Sequence, residues 1–290
     1  TPEGELKWIF SEAGSMKSAA PAVNANGTVV YICDALGKAF AIDAASGQKK
    51  WQFSAGDAGR GLLVNGSELL IGTQTDAFFV NIETGEQIAK VTLGCEMSDI
   101  TGFAVNSDKT LAYFGGRNGY IGAVNIKTHE AIKSLVVEKD NPNLLYEPVV
   151  APNGSVFAGS KNGSVYNVKG DLSAVNWEYV HTGSSLANAF NYSHPCVDSE
   201  NRFYITSGQT SNTTYIFDAS GNVVDSWTYE SGDNNQKQMG GNNYLDGVIY
   251  SAFIGGSSKN GVFVGKYVGG ERASSWSTHG GDICGSCCVK

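Results

Sequence analysis

The sequence repeats one motif, first as Gly4-Glu-Leu-Lys-Trp8-Ile-Phe10 and again as Gly47-Gln-Lys-Lys-Trp51-Gln-Phe53. Each copy joins a glycine turn to a short strand with a tryptophan near its centre. The frame returns every 38–50 residues, at anchor positions Ala89, Lys133, Trp177, Trp227 and Trp276. A period of this length is typical of propellers, in which one supersecondary unit is repeated around a ring.

Three more short strands are predicted between successive anchors. In the first period they are Ala22–Asn24, Thr28–Cys33 and Lys38–Asp43, and later periods have counterparts. The first two are separated by Asn26-Gly27, a pair preferred in hairpin turns because both residues tolerate positive φ. No long window shows helical spacing. The sequence therefore predicts an all-β fold, a six-bladed β-propeller of four-stranded antiparallel blades.

The predicted blades belong to one domain, residues 1–290, and span about 20–55, 60–94, 101–137, 147–180, 193–230 and 241–278. The additional N-terminal strand, 4–10, is predicted to close the ring by joining the last blade. Residues 279–290 form a Cys-containing tail that is too short for the strands of another blade, since each strand needs about five residues plus turns. A ring of seven or eight blades is the alternative.

The five tryptophans are predicted to be structural. On the outermost strands, a large flat ring fills the wedge between adjacent blades, where the gap is widest. These residues are Trp8, Trp51, Trp177, Trp227 and Trp276.

The composition excludes several classes of protein. Of 290 residues, 41% are hydrophobic and 17% charged, and the net charge is −8. The chain is thus too apolar for disorder and too acidic for general nucleic-acid binding, and it lacks the apolar stretch of about 20 residues that a membrane span needs. No signal peptide is predicted. An upstream domain or a lipid anchor before Thr1 remains open.

Half of the six cysteines lie in the last seven residues, as Cys284-Gly-Ser-Cys287-Cys288. This spacing can hold zinc, support redox chemistry or form disulfides. Zinc would need a further ligand, for which His279 is the nearest candidate. The cysteines could instead form a disulfide that pins the tail, or stay as unpaired thiols, depending on the redox compartment.

The motif Gly37-Lys-Ala-Phe-Ala-Ile-Asp43-Ala-Ala-Ser-Gly47-Gln-Lys-Lys-Trp51-Gln-Phe53 resembles the repeat of the pyrroloquinoline-quinone-like (quinoprotein-type) propellers. A shorter copy is Tyr215-Ile-Phe-Asp218-Ala-Ser-Gly221. The resemblance implies a bacterial propeller outside the cytoplasm: in the periplasm, at the outer-membrane surface or secreted. The family includes quinone dehydrogenases, outer-membrane assembly scaffolds and secreted proteins, so the fold does not determine the function.

The resemblance raises the question of a quinone cofactor. The dehydrogenases of the family place a vicinal disulfide against the quinone and hold calcium with acidic and amide side chains. Cys287-Cys288 is a vicinal pair, but it lies two residues from the end of the chain and not on a loop over the funnel. Those enzymes also have eight blades and about twice this length. No cofactor is therefore expected, with calcium as the alternative.

Candidate ligand-binding residues lie on two sets of loops that share one face of a propeller around the channel. They are Lys17, Arg60, Asp99, Arg117, Tyr146, Glu147, His194 and Asn242. Arg60 either clamps a planar oxyanion or is a solvated loop charge. Tyr146 either stacks on a sugar or peptide or packs in the core.

No catalytic residue is predicted. Asp99 and Glu147 would hold calcium only with further oxygens from Asn188 or Asn242, because calcium takes 6–8 oxygen ligands. His194 has no Ser or Cys nucleophile at a fixed spacing. The sequence favours a non-enzymatic propeller that binds a protein segment or a glycan on its channel face. Two further functions stay open: a calcium-dependent or quinone-type enzyme with an axial active site, and an outer-membrane assembly scaffold that accepts a partner's strand.

Overall fold

The computed structural model describes residues 4–16, 20–99, 101–137, 143–180, 194–207, 213–228, 236–245, 247–255, 261–269 and 288–289. All regular secondary structure in these ranges is β-strand, and the strands form six sheets. The predicted all-β class is therefore confirmed. Within the same ranges, no helix has the length and apolarity needed to cross a membrane.

We number the sheets blades 1 to 6 in chain order. Blade 1 contains β1 (Ala22–Val23), β2 (Val29–Cys33), β3 (Lys38–Asp43) and β4 (Lys49–Ser54). Blade 2 contains β5 (Gly61–Asn65), β6 (Glu68–Gly72), β7 (Asp76–Asn81) and β8 (Gln87–Thr92). Blade 3 contains β9 (Ala104–Val105), β10 (Leu111–Gly115), β11 (Tyr120–Asn125) and β12 (Glu130–Val136).

The second half of the chain continues the pattern. Blade 4 contains β13 (Val149–Val150), β14 (Val156–Gly159), β15 (Ser164–Val168) and β16 (Val175–Val180). Blade 5 contains β17 (Cys196–Val197), β18 (Phe203–Ser207), β19 (Thr213–Phe217) and β20 (Val223–Thr228). Blade 6 contains β21 (Gln236–Leu245), β22 (Val248–Gly255) and β23 (Gly261–Tyr267). The last strand, β24 (Cys288–Val289), joins blade 2.

Within each blade, strands that follow one another in sequence pair antiparallel. In blades 1 to 5 the register shifts once between the third and fourth strands, as at Ala41/Ile42 in blade 1. Such a bulge bends the strand and increases its twist. The outermost strands thereby acquire the twist that a radial blade requires.

The aspartate of the repeat motif caps the turn that follows the third strand. Asp43 Oδ1 accepts hydrogen bonds from the backbone N–H of Ala45 and Ser46, at 3.1 and 2.7 Å. Asn81, Asn125 and Asp218 make the corresponding bonds in blades 2, 3 and 5. A short side chain that accepts from the backbone two or three residues on is the turn chemistry of Asp and Asn.

The hydrophobic core lies in the seams between blades. Along β5, Leu62 and Val64 pack with residues of blade 1, and Leu63 packs with residues of blade 3. The alternation follows from the two-residue period of a strand, which points successive side chains to opposite faces. Blade 2 is thus buried on both faces by its neighbours. Among the described cysteines, Cys33, Cys95 and Cys196 are free thiols.

A tryptophan on one blade packs against a turn glycine of the next blade. Its indole Nε1–H also donates to a backbone carbonyl in that turn, for example from Trp51 to Ile82 O at 2.9 Å. A Cβ at the glycine would lie 2.6–2.8 Å from the ring, so only glycine fits. The three pairs are Trp8 with Gly47, Trp51 with Gly85, and Trp177 with Gly221.

Where the tryptophan is missing, the glycine is missing as well. The anchor of blade 2 is Ala89, and the facing turn of blade 3 carries His129, whose ring lies 4.1 Å from that of Phe79. The anchor of blade 3 is Lys133, and the turn of blade 4 carries the buried Leu172. Both turn residues keep a positive φ, 57° and 55°. The turn side chain therefore contributes to the seam that the tryptophan fills elsewhere.

The remaining two tryptophans lie in the last third of the chain. Trp227 is half-buried and packs against a cluster that includes Ile249 of the next blade. Trp276 lies outside the described residues.

The N-terminal segment, residues 4–16, lies against blade 1. The Trp8 indole donates to Ala44 O at 3.0 Å, and the backbone N–H of Gly14 donates to the buried Asp34 carboxylate at 2.9 Å. Trp8 thus contacts blade 1 as Trp51 contacts blade 2. This is the contact that the outer strand of a preceding blade would make. Closure of the ring by this segment, and the division of the chain into six blades within one domain, remain predictions.

Candidate functional site

Two adjacent blades bring five polar side chains together on the predicted loop face. We call this group the Arg60 cluster: Arg60, Gln74, Glu96, Asp99 and Arg117. Arg60 immediately precedes β5, the innermost strand of blade 2. Asp99 lies before β9 and Arg117 in the β10–β11 loop, both in blade 3. These positions share one face because innermost strands of consecutive blades run in the same direction.

The Asp99 carboxylate lies between the two guanidinium groups. It pairs with Arg60 Nη1 through Oδ1, and Oδ2 accepts from Arg117 Nη2 at 2.5 Å. Arg60 Nη2 also donates to Gln74 Oε1 at 2.9 Å, and the Gln74 amide donates to Glu96 Oε2 at 2.8 Å. The cluster is a continuous chain of charge-assisted hydrogen bonds, which fixes planar groups in defined orientations.

Burial differs sharply within the cluster. The Arg60 side chain is only 8% exposed, whereas that of Asp99 is 41% exposed. Burial lowers the pKa of Arg60, and the positive charge of Arg117 lowers it further, but an arginine stays protonated in proteins. Among the described residues, Arg60 Nε and Arg117 Nε have no hydrogen-bond partner. The cluster therefore has a buried cationic base and carboxylates at the surface, and Arg117 Nε also lies 3.9 Å from Glu96 Oε2.

A second group of predicted residues lies in the seams of blades 3 to 6. Glu147 is buried against Gly102, where a Cβ would lie 2.7 Å from Glu147 Oε2. His194 Nδ1 lies 3.8 Å from Glu147 Oε2, and the backbone O of His194 accepts from Asn242 N at 2.9 Å. The Asn242 side chain accepts from Thr206 Oγ1 at 3.0 Å. These residues are held by blade-to-blade contacts.

Tyr146 belongs to the core and not to an open binding face. It is fully buried and packs with Val149, Phe157 and Val197. The proposed stacking of its ring on a ligand is therefore corrected to the core-packing alternative, because two blades enclose the ring. Lys17 lies outside the described residues.

The described part of the chain contains no group of three or more His, Cys, Asp or Glu side chains that could hold a metal ion. Asp99 and Glu147, the carboxylates considered for calcium, are in different groups: Asp99 pairs with two arginines, and Glu147 lies near His194. Cys287, half of the vicinal pair, is outside the described residues. The expectation of no cofactor, with calcium as the alternative, stays a prediction.

Sequence reasoning missed two members of the Arg60 cluster, Gln74 and Glu96. Both lie on loops that were predicted to share the binding face, but neither stands next to an innermost strand. Their role becomes visible only when loops of blades 2 and 3 meet across a seam. A search of all polar residues on both loop sets would have included them.

The family described as outer membrane protein assembly factor BamB matches residues 1–179, which include the whole Arg60 cluster. The chain belongs to this family. The predicted relation to pyrroloquinoline-quinone-like repeat proteins is therefore confirmed. No curated protein matches the chain.

A solved structure supports the architecture of this BamB-family chain. BamB from Moraxella catarrhalis is 14% identical, and the match covers 87% of this chain and 84% of that one with a TM-score of 0.52. At this identity the likeness concerns the fold alone. Together with the six sheets, it confirms the β-propeller.

Proposed function

We propose that this chain is a non-enzymatic protein-binding propeller of the bacterial envelope, outside the cytoplasm, that serves as an assembly scaffold. In this proposal the Arg60 cluster holds a segment of a protein partner on the loop face. Membership in a family described as an outer membrane assembly factor supports the general role. The observation that carries the site is the Arg60 cluster itself, which two blades build together.

The charge pattern favours a polypeptide over a glycan. The cluster combines exposed carboxylates with guanidinium donors, and a polypeptide offers N–H donors, carbonyl acceptors and charged side chains to both. A neutral sugar is typically held by an exposed aromatic ring, and the Tyr146 ring considered for this role is 0% exposed. Glycan binding is therefore the alternative outcome of the test.

The rigid base of the cluster suits a recognition site. Buried Arg60 anchors Asp99 and Gln74, so that the surface groups are oriented before a partner arrives. Pre-oriented groups lose less conformational freedom on binding than flexible surface side chains do. The loops themselves are held by backbone bonds between loops, such as Arg117 N to Glu96 O at 2.8 Å.

The test compares alanine variants on the two faces of the propeller. Glu96→Ala and Arg117→Ala remove surface members of the Arg60 cluster and leave its buried base. Glu83→Ala and Lys127→Ala are charge-matched controls in exposed turns at the opposite face. Each tagged chain is isolated with its partners from solubilised envelopes of the native host, and the partners are quantified by mass spectrometry.

We expect the cluster variants to lose a partner protein at least about tenfold, the effect of removing a contact of roughly 1.4 kcal/mol, while the controls retain it. Equal recovery with all four variants would contradict the proposed site. Binding on a glycan array that Arg117→Ala abolishes would replace the protein partner by a sugar.

A further inference from the structure

A two-residue strand, β24, lies beside the innermost strand of blade 2. The strand β24, near the C-terminus, pairs parallel with β5, in a register that places Cys288 opposite Val64 and Val289 opposite Asn65. The other edge of β5 pairs antiparallel with β6, so β24 is added on the side of β5 that faces the channel. Among the described strand pairs, β24 with β5 is parallel, and the others are antiparallel.

β5 differs from most of the other innermost strands in its length. It has five residues, whereas the first strands of blades 1, 3, 4 and 5 have two each. A longer extended edge presents more backbone N–H and C=O groups for pairing with an added strand. Among the first strands of blades 1 to 5, β5 therefore offers the longest edge toward the channel.

Both faces of β5 are unavailable to a ligand. Leu62 and Val64 are 2% exposed and pack toward blade 1, and Leu63 is fully buried toward blade 3. A segment in the channel can thus contact β5 only along its backbone edge. Strand addition to a sheet edge is the recognition mode that uses backbone groups in this way.

We propose that the channel-side edge of β5 is a strand-acceptor site, and that the C-terminal segment of the chain occupies it in cis. The segment then competes with an extended polypeptide for the same edge. Arg60 immediately precedes β5, so a polypeptide held at the Arg60 cluster can continue along this strand. That competition rests on the proposed function, whereas the cis pairing does not and is tested without a partner.

A cross-link tests the pairing directly. Neighbouring strands lie about 4.8 Å apart, within the Cα separation that a disulfide spans. In a chain with Cys284→Ser and Cys287→Ser, Val64→Cys is expected to form a disulfide with Cys288 on mild oxidation, detected by mass spectrometry of the linked peptides.

Two controls are expected to give no link: the same chain with Cys288→Ser, and a chain with Val105→Cys in place of Val64→Cys. Val105 is an equally buried valine on β9. Absence of the Val64 link, or an equal yield from Val105→Cys, would overturn the proposal.

A second experiment tests the acceptor edge with a defined probe. Val289→Pro in the full chain removes a backbone N–H and disfavours strand pairing. The probe is a labelled synthetic peptide with the sequence of residues 280–290 and serine at the cysteine positions. We expect it to bind the Val289→Pro chain at least tenfold more tightly than the unmodified chain, with faster amide exchange in β5 than in the unmodified chain. Equal affinity for both chains, or unchanged exchange in β5, would refute the acceptor site. Loss of envelope partners in the Glu96→Ala chain tests the Arg60 cluster, whereas the peptide and the cross-link test the edge of β5. Either proposal can therefore fail while the other holds.

Discussion

At the scale of single residues, the seams are built from complementary pairs. The sequence predicted that tryptophans fill the wedges between blades, because a large ring on an outer strand needs a place to be buried. It did not predict the partner glycine, which lies about 40 residues further along the sequence and contacts the indole only in the folded propeller. The paired absence of both residues at Ala89/His129 and Lys133/Leu172 could have revealed the relation.

The first prediction concerns Gly85. It has a φ of 78°, and a Cβ would lie 2.8 Å from the Trp51 ring, whereas Gly27, at a φ of 73°, has nothing within 4 Å. We expect Gly27→Ala to cost about 1 kcal/mol through backbone strain alone, and Gly85→Ala to cost about 1–3 kcal/mol more through overpacking. Urea unfolding of both variants measures the difference. Equal destabilisation would show that the indole moves aside freely.

The second prediction concerns Asp34, a buried carboxylate that holds the N-terminal segment. Burial raises its pKa, but hydrogen bonds from the backbone N–H of Lys38, Gly14 and Leu36 outweigh it and lower the pKa overall. A group with a lowered pKa in the folded state stabilises above its unfolded value, and this contribution is lost as the pH falls below about 4. Asp34→Asn should therefore flatten the acid side of the stability–pH profile, measured as the free energy of unfolding at several pH values. An unchanged profile would contradict this role.

At the scale of elements, the N-terminal segment, residues 4–16, contacts blade 1 through side chains. Leu6 and Ile9 are 76% and 74% exposed, whereas Trp8 and Phe10 contact blade 1. The sequence motif predicted a strand over 4–10, whereas the structure gives no strand pairing within these residues. The Trp8 and Phe10 side chains contact blade 1 although residues 4–10 form no strand. The backbone contact of the segment lies further along, where Ala35 N–H donates to Ser15 O at 2.8 Å.

The third prediction follows from this docking. We expect Trp8→Ala to lower the free energy of unfolding by about 2–4 kcal/mol, since it removes a large packed ring and its hydrogen bond to Ala44 O, 3.0 Å long. Leu6→Ala is the matched control and should change it by less than about 0.5 kcal/mol, because its side chain is exposed. Thermal and urea unfolding provide the measurement. Similar losses for both variants would refute a docking role for the tryptophan.

The candidate site is also an element-scale feature. The sequence placed Arg60, Asp99 and Arg117 on one face, since loops at the same ends of blades must share it. It could not show that Asp99 joins the two arginines, because side-chain partners across a seam depend on the rotation between blades. The sequence left both ligand stacking and core packing open for Tyr146. Its position in a loop before an innermost strand did not show that two blades enclose the side chain.

At the scale of the whole molecule, the hydrophobic clusters cross the blade boundaries. One cluster runs from Leu63 of blade 2 through Phe103 of blade 3 to Val156 of blade 4. Blades that share a core stabilise one another, so their unfolding is coupled through nearest-neighbour interfaces. The six-sheet architecture was predictable from the period alone, because repeated units with two apolar faces must stack.

Two native thiols test this coupling. Cys33 in blade 1 and Cys196 in blade 5 are buried, which raises the pKa of Cys33 to about 12 and that of Cys196 well above its usual value. A buried thiol with a raised pKa reacts slowly until the structure opens. We expect both thiols to become reactive toward a maleimide pulse at the same urea concentration, as measured by mass spectrometry. Separate midpoints would show that blades 1 and 5 unfold independently.

The pairing of Trp8, Trp51 and Trp177 with a glycine on the following turn has a consequence for the evolution of such rings. The tryptophan of a blade contacts the blade that follows, and the turn glycine of the same blade contacts the tryptophan that precedes it. A duplicated blade therefore carries both residue types needed for the contact. Insertion or loss of such a blade then changes the number of blades in the ring, while the seams of this type keep the same contact. Because the tryptophan–glycine contact is the same between any two such blades, one repeat can build rings with different numbers of blades.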